Sequence, residues 1–179
     1  MKALAKNFLS AVIFAVSVVT AANATEFGIQ LHGLSHHFSS RRTVAGVPWN
    51  EVNYGFAITA RQEDLTYAIG VYKNSLSTKD LAFYSPYAIV DYQAIPLYDG
   101  SVHLSLGGFV GVVSGYPTIE WNKDGSVGQV FKHGPRPALG LSARAEYQNF
   151  DVTFRLTPPR HNNVSQGTAV LSVETGYKF

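Results

Sequence analysis

The side chains able to do acid, base or nucleophile chemistry in this sequence stand in small groups. His36 and His37 are adjacent, and so are Asn74 and Ser75. A histidine within hydrogen-bond reach of a serine can take the hydroxyl proton and leave the oxygen a nucleophile, which is the chemistry of acyl transfer. The chain has no cysteine, so thiolate attack, disulfides and Cys-based zinc sites are excluded and the work falls to His, Ser, Asp, Glu or Tyr. His32 adds a third imidazole before His36. On an extended strand these two rings point the same way about 13 Å apart, too far to chelate one ion, so neither a metal nor a cofactor is expected.

Strands must position these groups. The 179 residues suit one domain, and 46% hydrophobic residues with a mean hydropathy of +0.02 exclude a disordered chain. Residues 1–24 read as an export leader: Lys2 and Lys6 precede an apolar run from Phe8 to Val19, and Ala22-Asn23-Ala24 forms the cleavage site. An uncleaved N-terminal anchor is the alternative, disfavoured because the run is short. Losing the leader removes two of the 14 basic residues and leaves residues 25–179 with balanced charge, so nothing points to nucleic acid. After the leader, no stretch reaches the roughly 18 apolar residues of a membrane helix.

Apolar and polar residues alternate through the rest of the chain, the two-residue period of strands with one greasy face. Eight strands are predicted: Glu26–Phe38, Asn50–Arg61, Leu65–Asn74, Lys79–Ile95, Val102–Tyr116, Pro137–Gln148, Asp151–Thr157 and Thr168–Phe179. Short turns at Gln62–Asp64, Leu97–Ser101 and Asn149 alternate with longer links at Ser39–Trp49, Pro117–Arg136 and Pro158–Gly167, and a modest one at Ser75–Thr78. This predicts an all-β, eight-stranded antiparallel up-and-down transmembrane β-barrel with both termini on the periplasmic rim. In the last strand Phe179, Tyr177, Thr175, Val173 and Leu171 share one face, while Lys178, Glu174 and two small residues share the other. A soluble calycin-like barrel would be apolar inside; bulky residues opposite the charged face fit lipid outside and a polar lumen. Tyr84, Tyr87 and Tyr116 read as interfacial girdle residues.

Turning the bulky faces to lipid assigns the lumen. Near the periplasmic rim Arg144, Glu146, Asp151, Arg155, Glu174 and Lys178 face inward and predict a salt-bridged floor, because enclosed charges are costly unless paired. Higher up the inward set is Gly107, Phe109, Gly111 and Val113, with Ala138, Gly140, Ala68, Gly70, Tyr72, Gly55 and Ala57. Small residues here predict room for one slender guest, an acyl chain. Glycines that merely ease strand curvature are the alternative. The same alternation puts His32 and His36 inside and His37 outside.

The chain also resembles the lipid A palmitoyltransferases (PagP) of the Gram-negative outer membrane. The likeness rests on a His near the top of strand one; Trp49-Asn50-Glu51 followed by Tyr54-Gly55-Phe56; Tyr72-Lys73-Asn74-Ser75 where the family has Phe-Lys-Asp-Ser; His103-Leu104 through Gly111-Val112-Val113; Pro137-Ala138-Leu139; and Thr157-Pro158 with Asn162-Asn163. The resemblance implies His36 as the catalytic histidine, with His37 and His32 as alternates under other alignments. It implies Ser75 as the nucleophile-side serine and Asn74 in the place of the family's Asp. It also implies that Pro137 and Pro158 interrupt strand pairing where lipid enters, which suits a residue without an N–H.

A monomeric phospholipid:lipid A acyltransferase follows as the expectation, with phospholipid and lipid A as partners. Asn74 departs from the family: an amide hydrogen-bonds but carries no charge to stabilise an imidazolium. The family's leading amphipathic helix has no counterpart before strand one. Two rivals stand beside this reading. One is a non-enzymatic barrel whose loops, with Arg41, Arg42, Lys123, Lys132, Arg136 and Arg160, bind lipid or surface ligands. The other is a lipid A deacylase with a lipid-facing Ser-His pair.

Overall fold

The computed structural model describes residues 26–38, 48–78, 81–124, 126–131, 134–159, 161–162, 165–166 and 168–179. The leader expected over 1–24 and loop residues Arg41, Arg42, Lys132 and Arg160 lie outside them. The strands in chain order are β1 (Glu26–His37), β2 (Val52–Gln62), β3 (Leu65–Lys73), β4 (Tyr84–Asp99), β5 (His103–Val113), β6 (Thr118–Trp121), β7 (Val127–Phe131), β8 (Arg136–Tyr147), β9 (Phe150–Thr157), β10 (His161–Asn162), β11 (Ser165–Gln166) and β12 (Val170–Lys178).

Eight of them close into an antiparallel barrel in the order β1-β12-β9-β8-β5-β4-β3-β2. Closure removes every free edge, so each backbone N–H and C=O of the wall finds a neighbour without water. Tight turns at Glu63-Asp64 and Gln148-Asn149 sit on the rim where β1 starts and β12 ends; Glu63 and Gln148 take positive φ there (52° and 53°). Leu31, Phe56, Ile58, Val110, Leu139 and Leu141 are exposed on the outside, whereas Asp91, Arg144, Thr153, Arg155 and Glu174 are buried inside. Greasy outside and charged inside is the membrane arrangement.

The expected strands are all present, with three shifts. The fourth runs four residues past its expected end at Ile95, because irregularities between Tyr92 and Ile95 and between Pro96 and Tyr98 let the ladder pass a proline. The expected long link Pro117–Arg136 carries the separate hairpin β6-β7, and the link after Pro158 carries the two-residue pairing β10-β11. On β1 the pairing with both neighbours slips between His32 and Leu34.

The last shift matters most. One added residue, Gly33 relative to β12, reverses the in–out alternation for the rest of β1. His36 therefore faces outward and His37 inward, the reverse of the uninterrupted alternation, with side chains 62% and 3% exposed.

Among the described residues, the lumen that the glycines were expected to leave hollow is packed. Ala57, Ala68, Tyr87, Ile89 and Phe109 form a buried core across the middle of the barrel, and Tyr72, Val113 and Ala138 pack on it. A methyl group on Gly140 would lie 2.7 Å from the Phe109 ring, and one on Gly111 would lie 2.8 Å from the Ile89 side chain. These glycines, with Gly107 and Gly70, are small because bulky neighbours and backbone already occupy the space. Tyr87 belongs to this core and not to a girdle, since its position on β4 shares the inward face of Ser85, Ile89 and Asp91.

Candidate active site at the outer lip

Below the apolar core the lumen is closed by ions, as expected, though with a different central anion. Arg155 Nε donates to Asp91 at 3.0 Å, and its guanidinium also pairs with Glu174. Asp91, on β4, accepts further bonds from Gln93 and from Ser142 at 2.8 Å. Arg144 donates to Thr66 and Thr153, and Thr153 to Asp151. Nearer the rim, Glu146 pairs with Arg61 and with Lys178 at 3.8 Å. His32 closes the top of this floor: Nδ1 lies 3.3 Å from Glu174, Nε2 meets the Tyr87 hydroxyl, and Tyr72 packs against its ring. Every polar atom of His32 is thus engaged deep in the packed interior, which sets it apart from the lip.

Above the core the lumen turns polar again, and here β1, β2 and β3 reach the outer lip. The β2-β3 ladder ends at the Gly55–Tyr72 pair, and side chains continue it. Asn53 Nδ2 donates to the Lys73 carbonyl at 2.8 Å, and the Ser35 hydroxyl donates to Asn53 Oδ1. The Asn50 N–H donates to the Ser75 carbonyl at 3.0 Å. Asn74 is fully buried; its amide donates to Ser85 Oγ and to the Gly115 carbonyl, both at 3.1 Å, and its oxygen accepts the Leu76 N–H. Asn74 thus holds the bend where β3 ends, a job its side-chain amide suits because it both donates and accepts.

Glu51 supplies what Asn74 lacks. Its half-exposed carboxylate sits between the two histidines, 3.2 Å from His36 Nδ1 and 3.9 Å from His37 Nδ1, and it accepts the His37 backbone N–H at 3.0 Å. The His37 ring is buried and stacks flat on Trp49, centroids 4.4 Å apart and planes within 9°. The Trp49 indole N–H is buried beside it without an acceptor among the described residues. Ser75, also buried, is fastened to the residue between Trp49 and Glu51. The lip therefore sets the His37 imidazole beside the Glu51 carboxylate, and the strand start that carries Glu51 is tied through Asn50 to the Ser75 backbone.

Of the residues singled out from sequence, Asn74 and Ser75 are tied to Asn50, His37 lies against Trp49 and Glu51 on either side of it, and His36 reaches Glu51 from outside. Gly107, Phe109, Gly111, Gly140 and Gly70 lie in the packed interior below. Val113 and Tyr72 stand between core and lip, and the Tyr72 hydroxyl lies 3.1 Å from that of Tyr116. Pro137 and Pro158 are exposed above Leu141 and Leu156, where the β8-β9 pairing stops. Glu51 and Asn53 were missed as site residues although Asn50-Glu51 leads directly into β2; their signal was a run of polar residues at the mouth of a greasy strand.

Fold and surface together define a small membrane-spanning β-barrel of the outer-membrane type. No protein-family model matches the sequence, and no curated protein matches it. Among solved structures the chain is similar to the N-terminal β-barrel domain of Pseudomonas aeruginosa OprF, with 12% identity over 87% of this chain and 98% of that one and a TM-score of 0.47. It is similar also to P. aeruginosa outer membrane protein H (OprH), with 16% identity over 86% and 98% and a TM-score of 0.48. Neisserial surface protein A (NspA) is similar at 17% identity over 86% and 96%, with a TM-score of 0.47.

Proposed function

We propose that this protein is an acyltransferase of a Gram-negative outer membrane, moving an acyl chain from a phospholipid to lipid A at the outer lip of the barrel. The observation that carries the reading is the carboxylate of Glu51 set against His37, on the lip that also holds Ser75. His37 takes the Ser75 proton as general base, Glu51 stabilises the imidazolium that forms, and the serine oxygen attacks the ester carbonyl. The ester C–O bond breaks, the lysophospholipid leaves with the proton from His37, and a lipid A hydroxyl, deprotonated by His37, then takes the acyl group and frees the serine. The Trp49 N–H is the spare donor for the developing oxyanion. Asn74 keeps the bend in shape. With the interior packed, the acyl chain lies along the lipid-facing wall instead of in the lumen.

The test is transfer of a labelled acyl chain from phospholipid to lipid A by the purified mature protein. Ser75→Ala and His37→Ala are expected to lower the rate by at least about 100-fold, the range of a positioned base, and His36→Ala by less than about tenfold. Wild-type rates in Ser75→Ala and His37→Ala would contradict the mechanism. A second reading, a barrel that binds lipid or surface ligands without turnover, is favoured by the packed lumen and by the structural bonds of Asn74. Transfer by none of the proteins, wild type included, would select it.

A further inference from the structure

We propose a second lipid site on the outside of the wall, centred on Lys73 and built for the phosphodiester of an outer-leaflet glycerophospholipid. It rests on the barrel spanning the membrane and not on the acyl-transfer reading. Lys73 ends β3 on the face of Ile69 and Val71, which is the lipid-facing side. Among the described residues of the eight barrel strands it is the sole Lys or Arg on that side, since Arg61, Arg136, Arg144, Arg155 and Lys178 share the inward faces. A cation facing lipid is costly at mid-membrane and tolerated at the interface, so its place at the outer end of the strand matches the depth of headgroup phosphates.

The neighbours complete the cradle. Tyr84 of β4 stands directly across from Lys73 and is 60% exposed. Tyr54 of β2 is 69% exposed and is set opposite Lys73 by the adjoining Gly55–Tyr72 pair. Adjacent strands are about 4.8 Å apart, so a tyrosine position flanks Lys73 on each side. Asn53 holds the Lys73 carbonyl and fixes the strand end. Among the described residues no carboxylate pairs with Lys73, because Glu51 is turned to the histidines. One ammonium and two phenolic donors suit one anion with several acceptor oxygens. A phosphodiester carries a single negative charge, whereas a phosphate monoester approaches two and calls for a second cation.

Native mass spectrometry of lipid retained by the mature protein tests this, after extraction from nanodiscs of the phosphate-free bilayer lipid digalactosyldiacylglycerol doped with phosphatidylglycerol, with lipid A, or with diacylglycerol as the control. Wild type is expected to retain phosphatidylglycerol over diacylglycerol. Lys73→Met should lower that retention about tenfold, Lys73→Arg should keep it, and Tyr84→Phe should lower it several-fold, all with unchanged heat-modifiable migration on gels. Equal retention by Lys73→Met, or of diacylglycerol, would overturn the site; preferential retention of lipid A would overturn its phosphodiester assignment. Because retention is read without turnover, either outcome leaves the acyl-transfer test separate.

Discussion

At the scale of single residues, the interior is organised by charges that have no water to fall back on. Arg155 is the hub, bonded to Asp91 and Glu174 and set 5.8 Å above the Phe109 ring. Removing one member of a buried pair strands the other, a loss of about 3 to 5 kcal/mol, so Arg155→Ala is expected to destabilise the barrel by that much in urea unfolding from micelles. Phe109→Ala should cost about 3 kcal/mol or more by the same measurement, through the void it leaves. Inward charges on the last three barrel strands are legible from alternation alone. Asp91 does not stand out in the same way, because it is the one inward charge in the middle of β4 and its partners, Arg155 and Ser142, come from strands distant in sequence.

At the scale of elements, one slip in β1 decides which histidine faces the lumen. Alternation predicts the facing of every residue after a strand begins, and it fails at a bulge because a glycine mid-strand reads the same whether the pleat continues or breaks. Since the natural chain has no cysteine, single cysteines report facing directly. Cys at 36 is expected to react readily with a thiol reagent and Cys at 37 to be protected. Reversed reactivity would restore the uninterrupted strand and remove His37 from the lip.

The hairpin β6-β7 offers a pH test outside the wall. Its turn is closed by Asp124, whose carboxylate accepts the Ser126 hydroxyl and N–H and is thereby held below the usual carboxylate range. A depressed folded-state pKa means that the closing bonds contribute fully above the unfolded value and fade as pH falls through the folded one. Hydrogen exchange at Ser126 is therefore expected to stay slow at neutral and mildly acidic pH and to quicken only below the ordinary carboxylate range. Asp124→Asn should flatten that dependence.

At the scale of the whole molecule, the barrel was legible because its logic is periodic: eight alternating segments, short turns on one side and long links on the other. The filling of the barrel was not, because a row of glycines is compatible with empty space and with space already taken by Phe109, Ile89 and neighbouring backbone. The site was half legible. Ser75, Asn74 and the histidines stood out by type, while Glu51 became meaningful only when β2 was laid against β1.

The most direct measurement of the central claim is mass spectrometry of lipid A from cells expressing the wild-type protein, Ser75→Ala, or none. The account predicts a lipid A species heavier by one acyl chain with the wild type and its absence from the other two. Identical lipid A in all three, with the barrel folded in the outer membrane, would contradict it.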